Sequence, residues 1–214
     1  MTRIRKIIVG SVIVLITIGL ASWGPIMSNV EKPDYVVTLS KNNIEIREYK
    51  PMITASVRVS GERKEAIRKG FRLVADYIFG NNAISTKIAM TAPVEQRESQ
   101  KIAMTAPVQQ QLDGQSWEIS FVMPKEYSID TLPTPKNSEV TLAEIASKQF
   151  VVIKFSGRNT DSNIEQYTTL LEKFAFDNSL QTTGSPKYAF YNPPWTLPFL
   201  RRNEVMLELT PQLD

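Results

Sequence analysis

The chain has 214 residues, of which 42% are hydrophobic and 22% are charged, and these values are ordinary for a globular protein. This length fits one domain with a short appendage, since a domain takes about 150 residues. The sequence contains no cysteine and no histidine. This absence excludes disulfides, zinc–thiolate sites, a lipidated cysteine anchor and nucleophiles activated by a histidine base.

The positive charge is concentrated at the amino terminus. The net charge is +3, but residues 1–30 hold three cationic side chains and no carboxylate. The rest of the chain therefore has 22 cationic side chains and 22 carboxylates. The sequence also lacks a basic stripe with interleaved aromatic residues. This balance argues against nucleic-acid binding.

An uncharged run from Ile7 to Trp23 follows the cationic residues at positions 3–6. A single charge in such a run would cost about 2.5–3.5 kcal/mol on insertion into a bilayer. Its seventeen residues reach the lower limit of a membrane span, which takes about 17–25 residues. We expect residues 1–30 to form an uncleaved membrane anchor, and a cleaved signal peptide is the alternative.

The cationic residues also predict the orientation of this anchor. Positive charge stays on the cytoplasmic side, so residues from about 28 onward lie on the non-cytoplasmic side, periplasmic or extracellular. Residues 31–34, which include Pro33, form a short linker, and residues 35–214 form the domain. Cleavage of the segment would instead release the domain as an exported soluble form.

Two predicted helices interrupt a series of short strands. Apolar residues at three-to-four spacing predict a helix from Glu62 to Phe79, ended by Gly80. A second amphipathic pattern predicts a helix that begins near Asp161, a candidate N-cap. Residues 41–43, with two asparagines that tolerate positive φ, predict a hairpin turn. The predicted strands lie at residues 36–39, 44–49, 53–59, 87–94, 101–109, 117–123, 150–155, 187–191 and 204–209, with a weaker segment at 140–145.

The order of these elements predicts the fold class. Strands, a helix and further strands occur twice in succession along the chain. This order indicates an antiparallel sheet covered by two helices. We therefore expect an α+β fold, built as a twofold-repeated unit and curled into a partial barrel.

An eight-residue sequence, Lys-Ile-Ala-Met-Thr-Ala-Pro-Val, occurs at residues 87–94 and again at 101–108. The proline of each copy cannot donate to a strand ladder, so each copy must end, bulge or lie at an edge there. Two interpretations stay open: a hairpin that contributes to the core, or one wall of an apolar ligand cavity. The residues that alternate onto one face are Ile88, Met90, Ala92 and Val94 in the first copy, and Ile102, Met104, Ala106 and Val108 in the second.

Together with three other segments, this repeat resembles the SOUL haem-binding protein family. The resemblance covers roughly residues 35–210. It implies a distorted eight-stranded antiparallel barrel flanked by two helices, similar to gyrase-inhibitor-like effector-binding domains. It also implies non-enzymatic binding of haem or a related tetrapyrrole. The three segments are Tyr77-Ile78-Phe79-Gly80-Asn81, Ile44-Glu45-Ile46-Arg47-Glu48-Tyr49, and residues 191–204, which read Tyr-Asn-Pro-Pro-Trp-Thr-Leu-Pro-Phe-Leu-Arg-Arg-Asn-Glu.

The sequence departs from that family in one respect. Some members are thought to ligate the haem iron through histidine, and this chain has none. A methionine of the repeat or Tyr77 could ligate iron in principle. We expect weak, non-covalent binding through apolar contact with the porphyrin faces, with Lys64 and Arg68 near the propionates. The predicted binding residues are Met90, Met104, Ile88, Ile102, Phe71, Lys64 and Arg68.

No catalytic motif accompanies these features. The sequence has no Gly-x-Ser-x-Gly, phosphate-binding loop, dinucleotide glycine motif or paired metal carboxylates, so we expect a binding protein and not an enzyme. The alternatives are a module for another hydrophobic small molecule and a structural envelope protein without a ligand. Residues 201–204 are expected to hold the proline-rich loop before them, and Trp195 is expected to cover an open barrel end.

Overall fold

The structure, a computed structural model, describes residues 30–83 and 99–211. The predicted anchor and the first copy of the repeat lie outside these residues. Neither helix in these two ranges combines the length and the apolar character needed to cross a membrane.

In the described ranges, nine strands form one antiparallel sheet and two short strands form another. Two α-helices and one turn of 3₁₀ helix, Pro198–Leu200, complete the fold. The helices are α1, Arg63–Ile78, and α2, Asp161–Asp177. The strands are β1 Tyr35–Lys41, β2 Ile44–Tyr49, β3 Met52–Ser60, β4 Asn82–Ala83, β5 Val108–Asp113, β6 Ser116–Val122, β7 Thr134–Pro135, β8 Thr141–Ile145, β9 Lys148–Phe155, β10 Thr182–Phe190 and β11 Asn203–Leu209.

The strand order of the large sheet is β1-β2-β9-β11-β10-β5-β6-β3-β8, and all of these strands except β1, β2 and β8 belong to two copies of one unit. Each unit is a strand, a helix and a hairpin, and the last strand of the hairpin pairs with the first strand of the unit. The units meet where β10 pairs with β5, with Lys187 opposite Gln111. The predicted twofold α+β architecture is therefore confirmed as a strongly curled half-barrel. Its sheet has nine strands instead of eight, and the weak segment at 140–145 is one of them, paired with β3 as β8.

Both helices pack on the same face of the sheet. Helix α1 lies over β3 and β6, where Val57, Ile119 and Phe121 are fully buried. Helix α2 lies over β9 and β11, and its Leu171 is completely buried there. Burying each such side chain stabilises the fold by about 1.5–3 kcal/mol. A Cβ on Gly70 would lie 2.7 Å from Cδ1 of Ile119, so this glycine allows α1 to approach β6 closely.

The strand predicted for residues 101–109 is wrong over most of its length, because β5 begins only at Val108. The preceding backbone donates elsewhere: the N–H of Ile102 to the carbonyl of Ile78, and the N–H of Ala106 to the carbonyl of Glu31, both at 2.9 Å. The expected alternating face of the second repeat copy is therefore not formed. Ile102 and Ala106 are buried in two different clusters, whereas Met104 is 38% exposed.

Two local predictions have different outcomes. The turn after β1 is confirmed, since Asn42 has a φ of 57° between paired strands. The cap of α2 is Thr160 and not Asp161, because the Thr160 side chain accepts a hydrogen bond from the N–H of Asn163. Asp161 is instead the first helical residue, where its negative charge interacts favourably with the helix dipole.

Candidate binding cleft

The sheet has a second face that carries no helix. Along β9, Val151 and Ile153 pack under α2, whereas Phe150 and Val152 belong to a cluster on the opposite side. Because side chains alternate along a strand, neighbouring strands also direct every second residue to this helix-free face. Two cavities and a buried network of charges lie on it.

The larger cavity is a cleft of about 610 Å³ at one end of the helix-free face. It lies between residues 31–34, the start of β3, the end of β6 and the end of β8. This volume falls within the range of ligand pockets, about 300–1,000 Å³. The apolar part of its lining includes Met52, Ile53, Val122, Met123, Tyr127 and Ile145, with Ala146 and prolines 33, 51 and 124.

Charged side chains surround the mouth of this cleft. The ammonium of Lys125 donates to Oδ1 of Asp34 at 2.8 Å, and its backbone N–H donates to Oε1 of Glu31 at 2.9 Å. The hydrogen bond raises the pKa of Lys125 and lowers the pKa of Asp34. Lys32 and Lys50 are exposed at the same mouth. The cleft thus combines an apolar floor with an edge that carries three lysines and three carboxylates, the third being Glu144.

A smaller cavity of about 170 Å³ continues from this cleft, with which it shares Met52, Ile145 and Ala146. Lys187 lines it, with its ammonium 5.6 Å from the centre of the Phe150 ring. Burial lowers the pKa of Lys187. The volume of this smaller cavity lies below the range of about 300–1,000 Å³ that is typical of ligand pockets.

A buried arginine connects two of the segments that carry the family resemblance. Arg47 on β2 is completely buried and donates from Nη1 and Nη2 to the two carboxylate oxygens of Glu204 on β11, at 2.9 and 3.0 Å. It also donates to Glu45 and to the Tyr49 hydroxyl. Burial lowers the pKa of Arg47, but the hydrogen bonds and charge of Glu204 outweigh burial and raise it.

Glu204 accepts two further hydrogen bonds. Nε of Arg202 and the hydroxyl of Tyr191 donate to its carboxylate, each at 2.8 Å. Nη2 of Arg202 also donates to the Tyr35 hydroxyl at 3.2 Å, which connects β11 to β1. The buried Arg47, the partly exposed Arg202 and a buried tyrosine thus surround one buried carboxylate. This network connects β1, β2 and the start of β11.

The predicted binding residues lie away from the cleft. Lys64, Arg68 and Phe71 lie on the exposed side of α1. The ammonium of Lys64 is 3.2 Å from Oδ2 of Asp161, and this contact, with that of Arg63, lowers the pKa of Asp161. The Phe71 ring lies 5.5 Å from the ring of Phe121 and is 39% exposed.

The residues from the repeat are divided between different environments. Ile102 is buried in the cluster under α1, next to its last turn, and Met104 is partly exposed. Ile88 and Met90 lie outside the described residues. None of the predicted residues that the structure describes lines the 610 Å³ cleft. Thr105, which sequence reasoning did not select, is the residue of the second copy that does.

Because the chain has no histidine or cysteine, an iron ligand would have to be a tyrosine, a methionine or a carboxylate. In residues 30–83 and 99–211, no group of three acidic side chains is placed to hold a metal ion. Tyr77, considered as a ligand from sequence, donates its hydroxyl to the carbonyl of Pro133 at 2.9 Å and is buried. Burial raises its pKa to about 12, which disfavours the phenolate that would bind iron.

Comparison with solved structures shows the fold. The C-terminal domain of EcmrR has a TM-score of 0.57 at 13% identity, over 82% of this chain and 98% of that domain. A hydrolase from Listeria innocua has a TM-score of 0.52 at 13% identity, over 81% of this chain and 94% of that protein. At this level of identity these similarities concern the architecture alone.

Comparison with sequences shows the family. The human protein "Heme-binding protein 2" is 32% identical over 165 residues, which are 76% of this chain and 76% of the human protein. The family model described as "SOUL heme-binding protein" matches residues 30–208, nearly all of the described domain. The chain belongs to the SOUL haem-binding protein family.

Proposed function

We propose that this chain binds haem or a related tetrapyrrole non-covalently in the 610 Å³ cleft, without a histidine–iron bond. It acts as a binding module and not as an enzyme. The observation that carries the proposal is the composition of the cleft: it has the volume of a ligand pocket, an apolar floor, and exposed lysines among the charged residues at its mouth. Membership of the family supports the tetrapyrrole as ligand, and the absence of histidine from the whole chain removes the usual ligand of the iron.

The chemistry of a tetrapyrrole matches this lining. Its flat macrocycle is apolar on both faces, and Met52, Val122 and Ile145 offer the matching surface. Its carboxylates suit the exposed ammonium groups of Lys32 and Lys50. Apolar burial contributes about 25 cal/mol per Å², less the entropic cost of association. We expect micromolar affinity, on the order of −8 kcal/mol.

The proposed function includes a membrane tether. Residues 1–30 hold the domain to the bilayer, on the non-cytoplasmic side. The support is the uncharged run Ile7–Trp23 behind three cationic residues, a pattern that sets orientation in membrane proteins. A tethered module would keep its tetrapyrrole at the membrane surface.

The location of the site is tested by two matched pairs of substitutions. Replacing Lys32 and Lys50 by alanine is expected to weaken binding of metal-free protoporphyrin about tenfold, which is about 1.4 kcal/mol. The matched control replaces Lys64 and Arg68 by alanine, and we expect this change to have little effect. All four side chains are exposed, so both variants should fold. Porphyrin fluorescence measures the affinity of each.

The alternative location of the binding site is the exposed side of α1, which carries the residues predicted from the sequence. The same titration tests this alternative. A loss of affinity only in the Lys64 and Arg68 variant would contradict the cleft and favour α1. A protein that binds neither hemin nor protoporphyrin would contradict the tetrapyrrole itself. The cleft would then be assigned to another apolar small molecule.

A further inference from the structure

The loop between β10 and β11 presents apolar side chains to solvent. Trp195 is 65% exposed and Phe199 is 70% exposed, and Leu197 and Leu200 are each 41% exposed. Single exposed apolar residues are common on protein surfaces, but four within six residues form a patch of the kind that marks an interaction site. No acidic residue occurs from position 187 to position 203. Residues 193–200 therefore form an apolar loop.

The polar groups of the apolar loop are turned inward. Arg201 donates from Nε to the carbonyl of Thr196 at 2.7 Å, and from Nη2 to the carbonyl of Pro194. Thr196 itself is buried. Internal turns satisfy further backbone groups, including the N–H of Leu200, which donates to the carbonyl of Leu197 at 2.9 Å. The loop therefore has an apolar exterior and an internally hydrogen-bonded backbone, which reduces the cost of leaving water.

The loop is also held firmly to the domain. The carbonyl of Pro198 accepts a hydrogen bond from the N–H of Gly157 at 2.9 Å, and the side chain of Asn203 donates to the carbonyl of Gly157 at 3.1 Å. Three prolines, at positions 193, 194 and 198, restrict its backbone further. The exposed aromatic residues are thus presented in a fixed arrangement, and the loop does not fold them back into the core.

The base of the apolar loop lies beside the amino-terminal end of the described chain. Val30 packs against the cluster that contains Tyr191, and Arg202 donates to the hydroxyl of Tyr35. Six residues separate Val30 from the end of the uncharged run at Trp23. The seven steps from Trp23 to Val30 span at most about 25 Å. A bilayer that holds the run therefore lies close to the side of the domain that carries the apolar loop.

We infer that the apolar loop is a second membrane contact, which places Trp195 and Phe199 in the interfacial layer of the bilayer that holds the amino-terminal segment. The inference rests on the proposed tether. Tryptophan favours this layer because its ring is apolar and its N–H remains hydrated. A bilayer accounts for the patch better than a protein partner, because the chain itself brings the membrane to this side. Two contacts fix the orientation of the domain, which a single tether leaves free.

The test uses tryptophan quenching in the full chain, reconstituted in vesicles of phosphatidylcholine and phosphatidylglycerol. The chain has three tryptophans, so replacing Trp23 and Trp117 by phenylalanine leaves Trp195 alone. Brominated phosphatidylcholine should lower its emission about twofold, since bromine quenches only indoles at membrane depth. The matched control replaces Trp23 and Trp195 by phenylalanine. Its remaining Trp117, on β6, should not be quenched.

Three other results would overturn the inference. A chain that floats with the vesicles but shows no quenching of Trp195 overturns the loop contact and leaves the tether standing. Equal quenching of Trp117 and Trp195 overturns it as well, because the contact would not be specific to the loop. A chain that stays out of the vesicle fraction overturns the tether and the loop contact together, without bearing on tetrapyrrole binding.

Discussion

Replacing Glu204 by alanine should lower the free energy of unfolding by about 3–5 kcal/mol, the cost of leaving a buried charge without its partner. Glu204 and Arg47 are both completely buried, and the carboxylate accepts four hydrogen bonds from Arg47, Arg202 and Tyr191. Its loss leaves the Arg47 guanidinium inside the fold with Glu45 as its remaining acid. This change is a large part of a typical stability of about 5–15 kcal/mol.

Urea unfolding measures this effect as a shift of the midpoint at constant slope. The matched control is Asp113→Ala, which breaks an exposed pair with Arg58 and should cost about 0–1 kcal/mol. Glu204→Gln should give an intermediate loss of stability. The amide oxygen still accepts hydrogen bonds, but the amide NH₂ group faces the donors of Arg47, Arg202 and Tyr191. If Glu204→Ala unfolds within about 1 kcal/mol of the parent, the network does not stabilise the fold as argued.

Stability should fall steeply between pH 10 and pH 12. Burial, with the negative charge of Glu204, raises the pKa of Tyr49 to about 12, and burial raises the pKa of Tyr77 to about 12, from an ordinary value of 10. The folded state thus keeps protons that the unfolded state loses. The contribution of these tyrosines to the free energy of unfolding is therefore complete below pH 10 and is lost as the pH rises through 12. At about 1.4 kcal/mol per unit, the two residues together contribute roughly 5 kcal/mol.

Urea unfolding at a series of pH values checks this decline, and tyrosinate absorbance of the folded protein checks its cause. Burial also raises the pKa of Tyr191, so Tyr77→Phe removes one of three such tyrosines, and its stability should decline about one third less steeply over the same range. Stability that stays constant from pH 10 to pH 12, or buried tyrosines that ionise near pH 10, would contradict the assignment.

Regular parts of the fold could be predicted from the sequence because they depend on local periodicity. The three-to-four spacing gave α1 within one residue at each end, Arg63–Ile78 against the expected 62–79. Alternating runs gave β2 without error and β9 within two residues. The hairpin turn at Asn42 was predictable from its tolerance of positive φ alone. The twofold architecture followed from the order of these elements.

The site was harder to predict because its residues meet only through tertiary contacts. Arg47 and Glu204 are 157 positions apart, and nothing in the sequence near Glu204 identifies its partner. Residues 201–204 were expected to hold the proline-rich loop, and Arg201 does so, but Glu204 turns to β2 instead. The second copy of the repeat has an alternating pattern, yet its hydrogen bonds to Ile78 and Glu31 keep it out of the sheet.

The cleft illustrates the same limit. Its lining comes from five separate parts of the chain: residues 31–34, β3 with the residues before it, Thr105, the end of β6 with the residues after it, and β8. Apart from Thr105, which lies in the repeat, these segments carry no motif, and their charges look like ordinary surface charges in the sequence. The predicted cations on α1 were chosen for their helical spacing, and that spacing could not show that Lys64 contacts Asp161 of α2.

The central claim is that a tetrapyrrole binds without a bond between the protein and its iron. Parallel titrations of the protein with hemin and with metal-free protoporphyrin test it most directly. Because the chain has no histidine or cysteine and Tyr77 is buried with a raised pKa, the two ligands should bind with similar micromolar affinity. Binding of hemin that is about a hundredfold tighter, or about 2.7 kcal/mol, would demonstrate axial ligation and contradict the account.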